Sequence, residues 1–259
     1  MNFRLFSPHD QLKDLIRHYW LMEYDEGYIG NEEILFPAGA VEIILHLKKP
    51  FLRLADGQWK SESKAFIEGQ QSGTIIVKST GKMKTIGITL YPWATADLFN
   101  DKKMDATDLE PDLQNMYDQL ISTADERKLP ELCDHYFLSL LKKRFIRFTL
   151  AEKAIIHIFK KGDDCLNLPD MKKEWNYSTK LFERKFKEMT GISAGELMKK
   201  RRMIRVLKST LLNEYTSLTD VAYSAGYYDQ SHFIKDFKNY FLTSPKLLKK
   251  EHSLLKHFI

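Results

Sequence analysis

Up to about position 90, the apolar residues come in short runs broken by turn formers. ILF precedes Pro37-Ala38-Gly39, VEIILHL precedes Lys48-Lys49-Pro50, and FIEG, TIIV and TIGITLY come after them. Runs of this length, bounded by Gly, Pro and Asn, predict an antiparallel sheet or small barrel from Ile34 to about Leu90. Ahead of them, Leu12, Leu15, Ile16 and Tyr19 repeat at helical spacing and predict a short opening helix. After Trp93 apolar residues fall at every third or fourth position within long polar stretches, so the remainder reads as helical. Leu132, Tyr136 and Leu140, with Phe137 and Leu141, form one broad stripe closed by Lys142, Lys143 and Arg144, cations that suit a helix C-terminus. Such a stripe either packs on its own domain or forms a dimer surface. A fresh helix begins near Thr149, which places a boundary near Phe148. The expected fold class is α+β: a β-rich domain with a helical C-terminal part over 1–148, and an all-α domain over 149–259.

Within the helical part the sequence repeats itself. At an offset of 50, Asn167 matches Ser217, Leu168 matches Leu218, Asp170 matches Asp220, Met171 matches Val221, Trp175 matches Ala225, Asn176 matches Gly226 and Tyr177 matches Tyr227. At an offset of 51, Ser178 matches Asp229, Phe182 matches Phe233, Arg184 matches Lys235, Phe186 matches Phe237, Lys187 matches Lys238 and Ser193 matches Ser244. Each copy, about 167–189 and 217–241, reads as a capped helix, a tight turn at Asn176 or Gly226, and a second capped helix. In that second helix the aromatics recur at i and i+4, with Met189 or Tyr240 one turn on, and make a buried face. The opposite face carries Lys180, Arg184 and Lys187 in one copy and Ser231, Lys235 and Lys238 in the other. A short capped helix with an exposed stripe of donors after a tight turn is what a major-groove reader requires.

Charge sharpens this picture. The 259 residues hold 40 Lys+Arg and 35 Asp+Glu, but Ala151–Ile259 holds 21 against 13, net +8, leaving net −3 for residues 1–150. A basic half beside an acidic one points to a polyanionic partner. Cys133 and Cys165 are too few for a disulfide scaffold and lack zinc-site spacing. The chain shows neither a signal-peptide core nor an 18-residue apolar run, so a reducing cytoplasm and no membrane partner are expected.

The C-terminal residues resemble the DNA-binding domain of the AraC/XylS family of bacterial transcription regulators over about Thr149 to Lys250. Leu218 to Pro245, LTDVAYSAGYYDQSHFIKDFKNYFLTSP, carries the strongest likeness, and Asn176 to Ser193 the next. The resemblance implies two helix-turn-helix subdomains joined by a long helix, here about Ala194 to Leu212. It implies base-facing positions at Lys180, Glu183 and Arg184 on the first recognition helix, and at Gln230, Ser231, His232 and Lys235 on the second. Arg184 can pair with guanine and Gln230 with adenine, while Ser178, Lys187, Asp229 and Lys238 suit phosphates. Asn176 and Leu242 stand where the family usually has Gly, and Val206-Leu207 where the linking helix usually has a small Ala.

PAGAVEIILHL, FIEGQQSG and GITLYPWATADLF resemble a β-rich, sensor-like domain that precedes such DNA-binding domains. Family precedent implies a cupin-like fold binding a small effector or forming a dimer contact. The resemblance names no ligand; Phe36, Glu42, His46, Tyr91 and Trp93 are candidate pocket residues by position alone, with ordinary core or surface roles as the alternative. The implied partners are double-stranded DNA, a small-molecule effector, RNA polymerase and a second copy of the chain. No cofactor is expected, and His46 has no second ligand at metal-site spacing. Nor does the sequence show a phosphate loop, nucleophile elbow or paired-carboxylate helix, so an enzyme is not expected. Three alternatives stay open: a basic helical module binding an acidic protein, a cysteine-based stress sensor, and an N-terminal domain that only dimerises.

Overall fold

A computed structural model describes residues 2–25, 30, 32–35, 40–69, 74–94, 98, 111–144, 148–161, 178–212, 217–224, 226–245 and 247. The strands are β1 (Asn2–Phe6), β2 (Ile16–Tyr24), β3 (Glu32–Leu35), β4 (Val41–His46), β5 (Leu52–Ala55), β6 (Gln58–Ser61), β7 (Ala65–Glu68), β8 (Ile75–Lys78) and β9 (Met83–Leu90). They form two antiparallel sheets, β1-β2-β9-β4-β7 and β3-β8-β5-β6. The helices are α1 (Pro111–Ser122), α2 (Leu129–Arg144), α3 (Leu150–Lys161), α4 (Thr179–Thr190), α5 (Ala194–Leu212), α6 (Leu218–Ser224) and α7 (Gln230–Phe241). The fold is therefore α+β, with a β-rich N-terminal region followed by helices.

The five-stranded sheet is covered on both faces. Along β2, Tyr19 and Leu21 join the core shared with the helices, while Trp20, Met22 and Tyr24 face the other sheet. Such a strand carries apolar residues on both faces rather than in alternation, which explains the runs of VEIILH and TIGITL, where Glu42, His46, Thr85 and Thr89 are the polar members. The same effect accounts for one correction. The predicted opening helix is only a 3-10 turn at Asp10–Leu12, capped by His9, and Ile16 already begins β2. Leu12, Leu15 and Tyr19 fall at helical spacing because a turn leads into a doubly buried strand. Gly87 on β9 is dictated by Trp20 across the sheet, since a Cβ there would lie 1.9 Å from the indole.

The stripe on α2 packs on its own domain: Tyr136, Phe137 and Leu140 are buried and Leu132 and Leu141 partly so, and Leu129 and Cys133 join them in the same core. Tyr19 donates to Asp134 Oδ1 at 2.8 Å, and Tyr117 of α1 donates to the carbonyl of His46 at 2.7 Å. Arg4 and Lys84 converge on Glu126 between strand ends and α2, and their hydrogen bonds hold its carboxyl at about 2.

A fresh helix starts at Leu150, capped by Thr149, which forms a capping box with Glu152: Thr149 N–H to Glu152 Oε2 at 2.7 Å and Glu152 N–H to Thr149 Oγ1 at 3.2 Å. The apolar core nevertheless continues across residue 148. It runs from Ile43 and Ile88 through Leu113 and Phe137 to Phe159, Phe182, Phe186 and Leu197. A separate core gathers Met203, Leu207, Val221, Phe233, Phe237 and Phe241 around the end of α5 with α6 and α7.

Candidate nucleic-acid interface

The two candidate recognition helices, α4 and α7, are built alike. Ser178 caps α4 by accepting from the Leu181 N–H at 3.3 Å, and Asp229 caps α7 by accepting from the His232 N–H at 2.8 Å. Each ends on a left-handed residue, Gly191 at φ 76° and Leu242 at φ 57°, whose N–H reaches the carbonyls of Lys187 and Lys238. Ahead of α7, Ser217 caps α6 through the Asp220 N–H at 3.1 Å. Gly226 takes φ 75° in the turn, where its N–H bonds Tyr223 O and that of Tyr227 bonds Ala222 O. The corresponding helix and turn of the first copy, 167–177 with Asn176, lie outside the described residues, as do Phe36, Cys165 and Ala225.

The buried stripes hold Phe182, Phe186 and Met189 on α4, and Phe233 and Phe237 on α7. Opposite them, Lys180, Arg184 and Lys187 are exposed on α4 with Glu183 half-buried between; Arg184 lies 3.6 Å from Glu188, one turn on. On α7, Ser231, His232, Lys235 and Lys238 are exposed. Gln230 is half-buried, its amide oxygen accepting from Thr219 of α6 at 3.4 Å. The side chains of Ser178 and Asp229 turn back onto their own helices, so what the two helix starts offer outward is backbone N–H groups.

In the β-rich domain the described pocket candidates divide into two groups. Glu42 and His46 lie on β4, opposite Thr89 and Thr85 of β9. Glu42 Oε1 accepts from Thr89 at 3.0 Å and from Trp20 Nε1 at 3.4 Å, and burial pushes its carboxyl upward. His46 Nδ1 and Thr85 Oγ1 share a bond of 2.8 Å, Nε2 is buried with no partner, and desolvation lowers the imidazole to about 4. Between the sheets a cavity of about 20 Å³ is walled by Met22, Leu35, Phe51, Val77 and Met83. That is room for a water molecule rather than a metabolite. Glu33 stands at this cavity, its carboxyl pushed up to about 7 by burial.

Tyr91 and Trp93 lie elsewhere, against α3. Trp93 stacks on Tyr91 at 4.7 Å, meets the edge of Phe159 at 4.9 Å and donates to Asp14 O at 2.7 Å. Phe159 in turn carries the guanidinium of Arg201, 3.3 Å above its ring. Cys133 is fully buried, and desolvation drives its thiol far above the ordinary value, the reverse of a reactive thiolate. Among the described residues no group of three or more His, Cys, Asp or Glu could hold a metal, and no helix is long and apolar enough to cross a membrane.

Residues 171–251 match the family described as Helix-turn-helix domain, and residues 4–111 match Domain of unknown function DUF6597. The probable transcription factor PqrA of Proteus vulgaris is 36% identical over 69 residues, 27% of this chain and 56% of that protein. The Msm operon regulatory protein of Streptococcus mutans is 33% identical over 99 residues, 38% of this chain and 34% of that one. The chain carries an AraC-type helix-turn-helix domain. It spans about half the length of the first of these relatives and a third of the second. ToxT of Vibrio cholerae aligns over 96% of this chain and 98% of its own, with a TM-score of 0.46 and 12% identity.

The AraC-type domain also holds polar groups that the repeat did not reveal. Asp236 of α7 takes bonds from Tyr227 and Lys199, and Tyr228 is 95% exposed immediately before the Asp229 cap. Asp236 and Lys199 lie 37 positions apart on different helices, beyond the reach of any spacing rule. The doublet Tyr227-Tyr228 carried the one available signal: two large residues in a tight turn cannot both pack inward.

Proposed function

We propose that this protein is a sequence-specific transcription regulator, not an enzyme, whose α4 and α7 read neighbouring major grooves of double-stranded DNA. The observation that supports this reading most is the repetition of one construction, in which N-cap, aromatic stripe, left-handed C-cap and outward donors recur on α4 and α7. The base-facing side chains are Lys180, Glu183 and Arg184, then Gln230, Ser231, His232 and Lys235. Lys187, Lys238 and the helix starts at Ser178 and Asp229 hold phosphates. The 19-residue α5 is about 28 Å long at 1.5 Å per residue. That length suits two helices placed near the ~34 Å repeat of the groove. A small effector acts on the β-rich domain, where the orphaned Nε2 of His46 and the desolvated carboxyl of Glu33 are polar groups without full compensation.

The test is selection of preferred sites from random duplex DNA, with salt titration of the winning site and repetition against a metabolite panel. The expected result is two base clusters about one helical turn apart, and a slope of log K on log salt of about −0.9 per phosphate contact. Arg184→Ala is expected to relax one cluster and Gln230→Ala the other, each at a cost of about 1–3 kcal/mol. No sequence preference together with a slope near zero would refute the DNA reading and leave a basic module for an acidic protein. Affinity unmoved by every metabolite would count against the effector.

A further inference from the structure

One carboxylate in the second unit gathers more partners than its helix needs. Asp236 sits on the flank of α7, its side chain 19% exposed, and Oδ2 accepts the hydroxyl of Tyr227 at 3.0 Å. The same oxygen pairs with Lys199 Nζ of α5 at 3.2 Å. It also lies 3.9 Å from His232 Nε2, one turn earlier on α7, an ion pair when the imidazole is protonated. The His232 ring also meets the Tyr227 ring edge to face at 5.2 Å. The imidazole thus adjoins an aromatic ring and a carboxylate that are hydrogen-bonded to each other, although its side chain is 60% exposed. Burial works against ionisation of Asp236, but the bonds from Lys199 and Tyr227 prevail and hold its carboxyl below the ordinary value.

A lone exposed histidine would sample its rotamers freely and lose that freedom on contact with a base. These two contacts remove part of that loss beforehand and turn the Nε2 edge toward Asp236, leaving Nδ1 for a base edge. We propose that Asp236 is a positioning residue for base reading, presenting His232 to the major groove in one orientation and held in place by Lys199 of α5 and Tyr227 of the turn. This rests on the DNA-reading function proposed above and adds to it one specificity-determining contact and the residue that sets it.

The test uses the full-length protein and site selection from random duplex DNA for the parent, His232→Ala, Asp236→Asn and the double variant, with melting curves to verify folding. His232→Ala is expected to erase preference at one position within the α7 cluster. Asp236→Asn is expected to erase preference at that same position, to weaken the preferred site about five- to tenfold and to leave binding to random DNA unchanged. The double variant should lose no more than the larger single loss, because the two side chains act through one contact. Should Asp236→Asn fail to fold, Tyr227→Phe keeps the ring contact with His232 and removes only the hydroxyl donor, and a weaker loss at the same position is expected of it. The proposal is overturned if preference at the His232 position survives Asp236→Asn, or if the whole α7 cluster fades evenly, as a merely structural role would produce. A parent protein that selects no sequence at all overturns the DNA reading itself and this inference with it, whereas a selective parent with an unaffected Asp236→Asn overturns this inference alone.

Discussion

Two titratable side chains in the β-rich domain pull its stability in opposite directions with pH. Desolvation holds His46 at about 4, below its unfolded value near 6.5, so its contribution is complete above about 6.5 and is lost as pH falls toward 4. Desolvation raises Glu33 to about 7, above its unfolded value near 4.3, so its cost is present above about 7 and is relieved as pH falls toward 4.3. Between pH 7 and 5 the two slopes oppose each other. Removing one exposes the other: His46→Gln should gain stability relative to the parent on going from pH 7 to 5, and Glu33→Gln should lose it, each by about 1–2 kcal/mol. Urea midpoints at pH 7, 6 and 5 measure this, and three parallel curves would contradict it. None of this was legible in the sequence. His46 was visible as a histidine within a strand, but which face of a doubly covered sheet it joins depends on the second sheet, which is not a local property.

At the scale of single elements the sequence was far more informative, because caps and turns are decided by neighbouring residues. Ser178, Ser217 and Asp229 cap where their side chains allow, and Gly226 and Gly191 take positive φ where the chain must reverse. Leu242 is the exception that the repeat makes measurable. It stands 51 positions after Gly191 and takes the same left-handed conformation as the C-cap of α7, with its side chain 64% exposed. A branched residue there is strained and little packing compensates it, so Leu242→Gly should stabilise the second unit by about 1 kcal/mol. Thermal unfolding monitored on that unit tests it, and a lower melting temperature would mean that Leu242 makes apolar contacts worth more than its strain. The opening helix failed for the converse reason. Leu12, Leu15 and Tyr19 have helical spacing, yet the pairing of Phe3 to Phe6 with Met22 to Tyr19 holds the chain beyond Ile16 extended as a strand.

Across the whole molecule, α4 shares the core of the β-rich domain, whereas α6 and α7 have a core of their own. Phe159, Phe182 and Phe186 share the core of the sheet and α2, and Lys160 reaches back to Asp14 and to Lys13 O. The second unit has its own core and meets the β-rich domain through a bond from Thr74 Oγ1 to Tyr240 O at 2.7 Å, at the last turn of α7. The smaller core should open more readily. Native-state hydrogen exchange is expected to show amides of α6 and α7 opening at least about 2 kcal/mol below those of α3 and β9; equal values would show one cooperative unit.

By itself the sequence determined the two matching helices α4 and α7, the caps at Ser178, Ser217 and Asp229, the turn at Gly226, the basic stripe and the change from short strands to helices after Trp93, because propensity, periodicity and charge act over a few residues. Only the tertiary structure decided what lies between those elements. It separated Glu42 and His46 from Tyr91 and Trp93, carried one core across the expected boundary at Phe148, and brought Lys199 and Tyr227 to Asp236. Those outcomes depend on which surfaces are buried together, and burial links residues dozens to more than a hundred positions apart with no spacing to announce them.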